Sequence, residues 1–531
     1  MHKSFSDVAG EKLVEASTDV VVIGSGAGGG AIAAELAEGG RSVICVEEGG
    51  YYTARDYSLD PAVSIPLLYR NGGSAPILGT PNIIFSEGRC VGGSTVINGG
   101  MSWRTPEKIL KRWEWELGIP ELSARALDPF FTKVEERVSV RPQDPESIGE
   151  DARIMATGAT KLGYELIPAM RNQKHCAGSN NCAFGCPTDA KQSVLLTYIP
   201  RLLASGGSVF SSCRIDKILT ERGRAVGVEG RFVHAESGEK GPRCRIRARV
   251  VVVAAGAIQT PVLLLQNGLA NSSGMVGRNF LCHPNAKVVG VFDRDVHAWK
   301  GVIQGNQIRE FIDEGLMITT SMIPPGLVAM SLPHIGDELY EVMQDYRRMV
   351  VAGCLVEDTT TGRVTTDLFG EAKMRYDVCD RDHAMLIRGV ALTSEILFAA
   401  GARRCLLPFD HLPSIGSADE IRRLYEQPIP KDEIECLTVH AMGTAVLGRD
   451  PRHSVVDTWG ETHDVKNLFV ADASIFPGAI GVNPQVTIMA LATRTGQYLI
   501  YNSARYFAKP PPGWSCHRTK AVSSAGSANE L

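Results

Sequence analysis

The stretch DVVVIGSGAGGGAIAAELAEGGRSVICVEE, residues 19 to 48, constrains this 531-residue chain more than any other. Val20 to Ile23 are an unbroken apolar run, the pattern of a parallel strand covered on both faces. A helix is expected next, with Ile32 and Leu36 four apart and small Ala31, Ala33, Ala34 and Ala37 allowing close approach to a sheet, until Gly39 and Gly40 stop it. Between strand and helix, Gly24, Gly26 and Gly29 supply G-x-G-x-x-G, and Glu47 ends the following strand eighteen residues after the last of them. Gly24 makes the tight turn, Gly26 lets backbone N–H groups approach a pyrophosphate, Gly29 lets the helix sit close, and an acidic side chain can take ribose hydroxyls. The combination predicts a dinucleotide site in a Rossmann-type α/β fold. Alternation along the strand sends the adjacent Glu48 to the opposite side.

Two further buried runs lie far away in sequence. Val250 to Ala255 precede an apolar helix with Pro261 expected in its first turn, and Asn467 to Ser474 lead into the helix VTIMALATRTGQYLI. Strands so widely separated indicate one doubly wound domain interrupted by another, as the length of the chain also suggests. From about residue 285 to 435 the texture changes to short strand-like runs and Met- and Ile-rich turns such as MITTSMIPPGLVAMSLPHIG, read as the inserted domain. Stripes of that kind are more often core than pocket.

A net charge of -4 and a pI near 6.3 give no broad basic field, which argues against a nucleic-acid partner and leaves small molecules as the expected ligands. The first twenty residues lack the apolar stretch of a secretory signal and no window reaches membrane-spanning length, so a cytoplasmic protein is expected. Thirteen cysteines scattered from Cys45 to Cys516 do not form a disulfide framework and read as mostly reduced, buried thiols.

The choice between a nicotinamide and a flavin dinucleotide turns on EGRCVGGSTVINGG, residues 87 to 100, where Gly92 and Gly93 with Ser94 and Thr95 form a loop able to lie flat against a flavin. With GSGAGGGAIAAELAEGGRSVICVEEGG, GAIQTPVLLLQNG, VGRNFLCHP, VHAMGTAVLG and DASIFPGAIGVNPQVTIMALA, the chain resembles the glucose–methanol–choline (GMC) family of FAD-dependent oxidoreductases over most of its length. The resemblance implies an FAD-binding domain in three pieces, residues 17–130, 190–285 and 440–505. A substrate-binding domain built on an antiparallel sheet would take 131–189 and 286–439; the end, 507–531, rich in Pro, Ser and polar residues, reads by its composition as a flexible tail. Gly24, Gly26, Gly28, Gly29, Glu47, Gly92, Gly93, Ser94, Asn98, Ala255, Asp472 and Val482 are assigned to the cofactor, with Gly92 to Asn98 along the isoalloxazine and Cys213 to Ile218 toward the adenine. Where some relatives attach the flavin through a histidine, this chain has Ile97, so the FAD is expected to be noncovalent.

His440 matches the family's catalytic histidine and Asn483 its second active-site position. Alcohol oxidation needs a base for the hydroxyl proton while the carbon-bound hydrogen leaves as hydride to flavin N5, and an imidazole suits that role near neutral pH. Asn483 before Pro484 also reads as a helix N-cap followed by the first helical residue. His283 is expected near the cofactor. No G-x-S-x-G elbow supports a serine triad.

The loop HCAGSNNCAFGCPTDAKQ, residues 175–192, carries Cys176, Cys182 and Cys186. It lacks the short C-x2-C knuckles of zinc sites. It resembles both the three-iron-cluster stretch of bacterial sugar dehydrogenases of this family and a Cys-rich loop of the long-chain alcohol oxidases. Buried cysteines or one local disulfide remain an alternative to the metal. The expected reaction is oxidation of a hydrophobic or aromatic primary or secondary alcohol to an aldehyde or ketone, with oxygen or a redox acceptor protein reoxidising the flavin. A cluster-bearing sugar dehydrogenase and a hydroxynitrile-lyase-like enzyme without redox turnover are the alternatives.

Overall fold

The computed structural model describes residues 1–507, so the expected tail from 508 onward, with Cys516, lies outside the described residues. Two β-sheets organise the chain. The first has eight strands, in the order His2–Lys3, Ser208–Phe210, Val43–Val46, Leu13–Ile23, Lys240–Val253, Arg224–Val233 and Cys213–Glu221, with Leu468–Val470 also pairing on Lys240–Val253. Its centre is parallel: Val20 to Ile23 run in register with Val43 to Val46 on one side and Val250 to Val253 on the other. All of these residues are buried, and the helix Ala27–Glu38 packs against Leu13–Ile23 and Val43–Val46.

The chain leaves Ile23 through Gly24, whose φ of +97° only glycine adopts easily, and enters the helix Ala27–Glu38. That helix packs between Val194–Ala204 and Gln485–Tyr501, so residues from both ends of the sequence meet over the glycine turn. A Cβ at Gly28 would lie 1.8 Å from the Ala471 carbonyl oxygen, a contact no other residue could make.

The helix after Val253 begins at Gly256, earlier than expected, and runs to Gln266. Pro261 is therefore mid-helix. Its missing N–H would orphan the carbonyl of Ala257, and that carbonyl instead accepts the Thr444 hydroxyl at 2.5 Å. The last long helix starts at Gln485 with Pro484 as its cap residue, so Asn483 stands outside the helix and does not cap it. Its side chain is engaged elsewhere, as described below.

The second sheet has thirteen strands and is mostly antiparallel. At its centre Asn285–Val291 lies between Cys436–Thr438 and Met349–Val356, with Leu316–Thr320 beyond. The helix Asp380–Ala399 covers one face, and Gly389 brings it so near that a Cβ there would be 2.5 Å from the Cys354 sulfur. The other face looks toward the first sheet. Ala75–Leu78 and Ile83–Phe85 belong to this second sheet although they fall in a span assigned by sequence to the FAD domain, because Ile83–Phe85 pairs in parallel with Cys436–Thr438.

Candidate active site

A cavity of about 650 Å³ runs between the two sheets. One end is bounded by Gly24, Gly26, Gly28, Glu47, Glu48 and Cys213 to Ile215, the middle by Gly93 to Thr95, Ile97, Asn98, Ala255 and Asp472, and the far end by His440 and Asn483. Of the remaining residues assigned by sequence, Gly29 packs against the Gly24 carbonyl, Gly92 turns the chain at φ +95°, and Val482 is buried; these three, with Asp216, Lys217 and Ile218 of the stretch expected toward the adenine, do not line the cavity.

Glu47 is buried with its carboxylate held in place: Ser25 donates to Oε2 through its backbone N–H at 3.0 Å and its hydroxyl at 2.7 Å, and the Gly49 N–H donates to Oε1 at 2.9 Å. Desolvation nevertheless raises its pKa. Glu48 lines the same end in a 2.7 Å ion pair with Arg70 and does not turn to the opposite side as expected, because the strand already ends at Val46. Asp472 is also fixed by the protein, accepting from the Gly256 N–H at 2.9 Å, the Thr260 hydroxyl at 2.5 Å and the Ser474 N–H at 2.8 Å. It ties the start of the Gly256–Gln266 helix to the turn that follows Leu468–Val470. A narrow, glycine-lined passage where Cβ atoms would meet backbone, with a preset carboxylate at one end, fits an elongated dinucleotide such as FAD.

The far end is built from three separate segments. His440 follows the strand Cys436–Thr438 and is 8% exposed. Its Nε2 lies 3.1 Å from the Asn483 side-chain amide, and its Nδ1 lies 3.3 Å from Nδ1 of His283, the rings being perpendicular. Burial pushes the His440 imidazole down to about 4 and lowers His283 strongly, so both are neutral near pH 7. The backbone N–H of Gly481 donates to His283 Nε2 at 3.0 Å. A neutral His283 thus keeps its hydrogen on Nδ1 and donates it to His440, whose own hydrogen then sits on Nε2. The Asn483 Oδ1 is buried without a partner, and turning the amide over lets that oxygen accept from His440 Nε2. Asp358, raised to about 7 by burial, holds the His283 turn by accepting the N–H groups of Cys282 and His283.

His283, expected near the cofactor, lines the cavity and is also a direct partner of His440, which the sequence did not indicate. Gln485 carried no sequence signal of its own, yet it accepts from Asn98 Nδ2 at 2.9 Å and donates to the Met101 carbonyl at 2.7 Å, joining the loop after Gly93 to the last helix.

The Cys-rich loop packs behind Val96 to Asn98. Lys191, fully enclosed, donates from Nζ to the carbonyls of Val96 and Asn98, both at 2.7 Å, and to that of Cys182 at 2.5 Å. The Arg171 guanidinium donates to the Cys182 sulfur at 3.2 Å, and the Lys191 backbone N–H to the Cys186 sulfur at 3.5 Å. Cys176, Cys182 and Cys186 are free thiols, and no group of three metal-ligating side chains converges among the described residues. The three cysteines do line one small cavity with Arg171 and Lys191, where the Cys182 and Cys186 sulfurs already accept from protein N–H groups. The local disulfide is not formed.

Comparison with known proteins agrees with this architecture. The family models described as GMC oxidoreductase match residues 65–285 and 358–492, and one described as FAD binding domain matches residues 19–55. An uncharacterized GMC-type oxidoreductase of Mycobacterium tuberculosis is 35% identical over 480 residues, covering 89% of this chain and 74% of its own. A long-chain-alcohol oxidase of Arabidopsis thaliana is 30% identical over 512 residues, covering 91% and 68%. The crystal structure of pyridoxine 4-oxidase from Mesorbium loti superposes with a TM-score of 0.69 at 17% identity, over 91% of this chain and 99% of that one, a likeness of fold. The chain belongs to the GMC oxidoreductase family, and it is an FAD-dependent oxidoreductase acting on CH–OH groups. No helix among the described residues is long and apolar enough to cross a membrane.

Proposed function

We propose that this protein oxidises a hydrophobic primary or secondary alcohol to the aldehyde or ketone, with His440 taking the hydroxyl proton and Asn483 orienting the oxygen. The observation that carries this reading is the 3.1 Å contact between His440 Nε2 and Asn483 at the inner end of the cavity. Bound FAD supplies the two-electron acceptor for the hydride that leaves the carbinol carbon, and Ile97 supports its noncovalent attachment. A neutral imidazole enclosed by protein accepts a proton without first having to lose one to solvent. The two histidines set which ring nitrogen is available. With the shared hydrogen on His283, His440 donates from Nε2 to the substrate oxygen. With both rings in the other tautomer, His440 Nε2 has the free lone pair, and His283 gives up its contact with Gly481.

The body of the pocket supports an apolar substrate. Ile303, Met317, Ile323, Leu327, Met330 and Leu355 line it, so the Met- and Ile-rich stretch contributes wall as well as core. Likeness to proteins named as alcohol oxidases supports oxygen as the electron acceptor. Free thiols at all twelve described cysteines support a reducing compartment, the cytoplasm.

Anaerobic addition of a panel of alcohols, read through bleaching of the yellow flavin spectrum, tests the reading. His440→Ala is expected to retain FAD and to lose about a hundredfold or more in the rate of bleaching. An unbleached flavin with every alcohol, or undiminished bleaching in the variant, would overturn it, the former in favour of a non-redox lyase.

A further inference from the structure

The strand Asn285–Val291 presents alternate side chains to the cavity. His283, Asn285 and Lys287 share that face, while Ala286 and Val288 face the covering helix. Lys287 lies opposite Gly353, and Gly353 opposite Thr319 on the next strand. A Cβ at Gly353 would stand 2.9 Å from both Cδ and Nζ of Lys287, so the ammonium occupies the space that glycine leaves open. Lys287 is 7% exposed and lines the same cavity as His440. Among the described residues no carboxylate pairs with it and no hydrogen bond satisfies it; its nearest titratable neighbour is the Cys354 thiol, and burial depresses the ammonium to about 8. The cavity wall around it is Thr319, Ser321, Met317, Leu355 and Asn285, without an acidic residue, and Asn285 Oδ1 is itself buried without a partner. A buried cation is tolerated when a counter-charge arrives.

We propose that Lys287 binds a carboxylate carried by the substrate at the end remote from its carbinol, making the preferred alcohol an ω-hydroxy acid with an apolar chain. A single ammonium neutralises one negative charge, which favours a carboxylate over a dianionic phosphate. Three residues separate His283 from Lys287, and the strand portion alone, Asn285 to Lys287, sets its end Cα atoms about 7 Å apart at the rise of an antiparallel strand. A chain of intermediate length spans that interval, whereas a 2-hydroxy acid places its carboxylate beside the carbinol. The inference rests on the alcohol-oxidising reading above.

The holoenzyme is assayed with ω-hydroxydecanoate and with decanol, and separately titrated with decanoate, which has no hydroxyl to oxidise, following perturbation of the flavin spectrum. The wild type is expected to favour the hydroxy acid in kcat/KM and to bind decanoate. In Lys287→Met, and in Lys287→Gln as a second variant, each checked for FAD content, the preference ratio is expected to fall about a hundredfold and decanoate binding to disappear. A ratio unchanged by both substitutions, or decanoate binding equally to wild type and variants, overturns the proposal. Decanoate binding that depends on Lys287 in a protein that oxidises no alcohol would uphold the anion site and defeat only the catalytic reading.

Discussion

At the scale of single residues, the site depends on keeping two imidazoles neutral inside the protein. The displacement of His440 from the ordinary 6.5 to about 4 corresponds to about 3 kcal/mol. In the unfolded chain the ring takes a proton below about 6.5, while in the fold it resists until about 4. Between those values the unfolded state binds more protons, so acidification through that window destabilises the fold. Asp358 acts with the opposite sign: its folded carboxyl stays protonated up to about 7, so it costs stability as pH rises from 3.8 to 7. The difference between wild type and His440→Gln isolates the imidazole. Urea midpoints measured from pH 7 to pH 4 are expected to fall more steeply for the wild type, and parallel curves would show that burial of this ring carries no penalty. His440 and Asn483 were singled out by the family resemblance, not by residue type or spacing. His283 was harder to read because its partner lies 157 positions away. Lys287 did leave a trace, since His283, Asn285 and Lys287 alternate with apolar residues at the period of a strand with one wet face.

At the scale of elements, the first sheet was readable because each of its central strands is a continuous apolar run with a glycine turn or helix directly after it. The second sheet was expected as the antiparallel sheet of the inserted domain, but its full membership was not readable, because short strands such as Ile83–Phe85 acquire their place from partners hundreds of residues away. Pro261 shows the same limit within one helix. Sequence rules put a proline in the first turn, yet here tertiary structure supplies what the proline removes, through the Thr444 hydroxyl on the Ala257 carbonyl. Thr444 and Ala257 are both buried. Thr444→Val keeps the shape and removes the donor, leaving that carbonyl unsatisfied, and is expected to destabilise the protein by about 1–3 kcal/mol. Thermal denaturation checks this, and a Tm equal to that of the wild type would mean that the helix bends to satisfy the carbonyl in another way.

At the scale of the molecule, the cavity is assembled from segments that do not fold next to one another in sequence, and a few buried side chains hold them in register. Gln485 joins the last helix to Asn98, Asp472 joins the third apolar run to the helix after the second, and Lys191 joins the Cys-rich loop to the stretch that the flavin is expected to contact. Lys191 is the most exposed to test by substitution because one ammonium serves three carbonyls and burial already draws its pKa down to about 8. Lys191→Met fills similar volume but abandons all three acceptors, two of them, on Val96 and Cys182, buried groups whose loss of a partner costs about 1–3 kcal/mol each. The loop from Val96 to Asn98 is then free to shift, and it forms part of the cavity wall at its middle. The variant is expected to purify with less FAD than the wild type and to show a Tm that rises when FAD is added in excess, as binding to the folded state alone requires. A variant fully loaded with FAD and unchanged in Tm would mean that the Cys-rich loop is only adjacent to the flavin wall and does not support it.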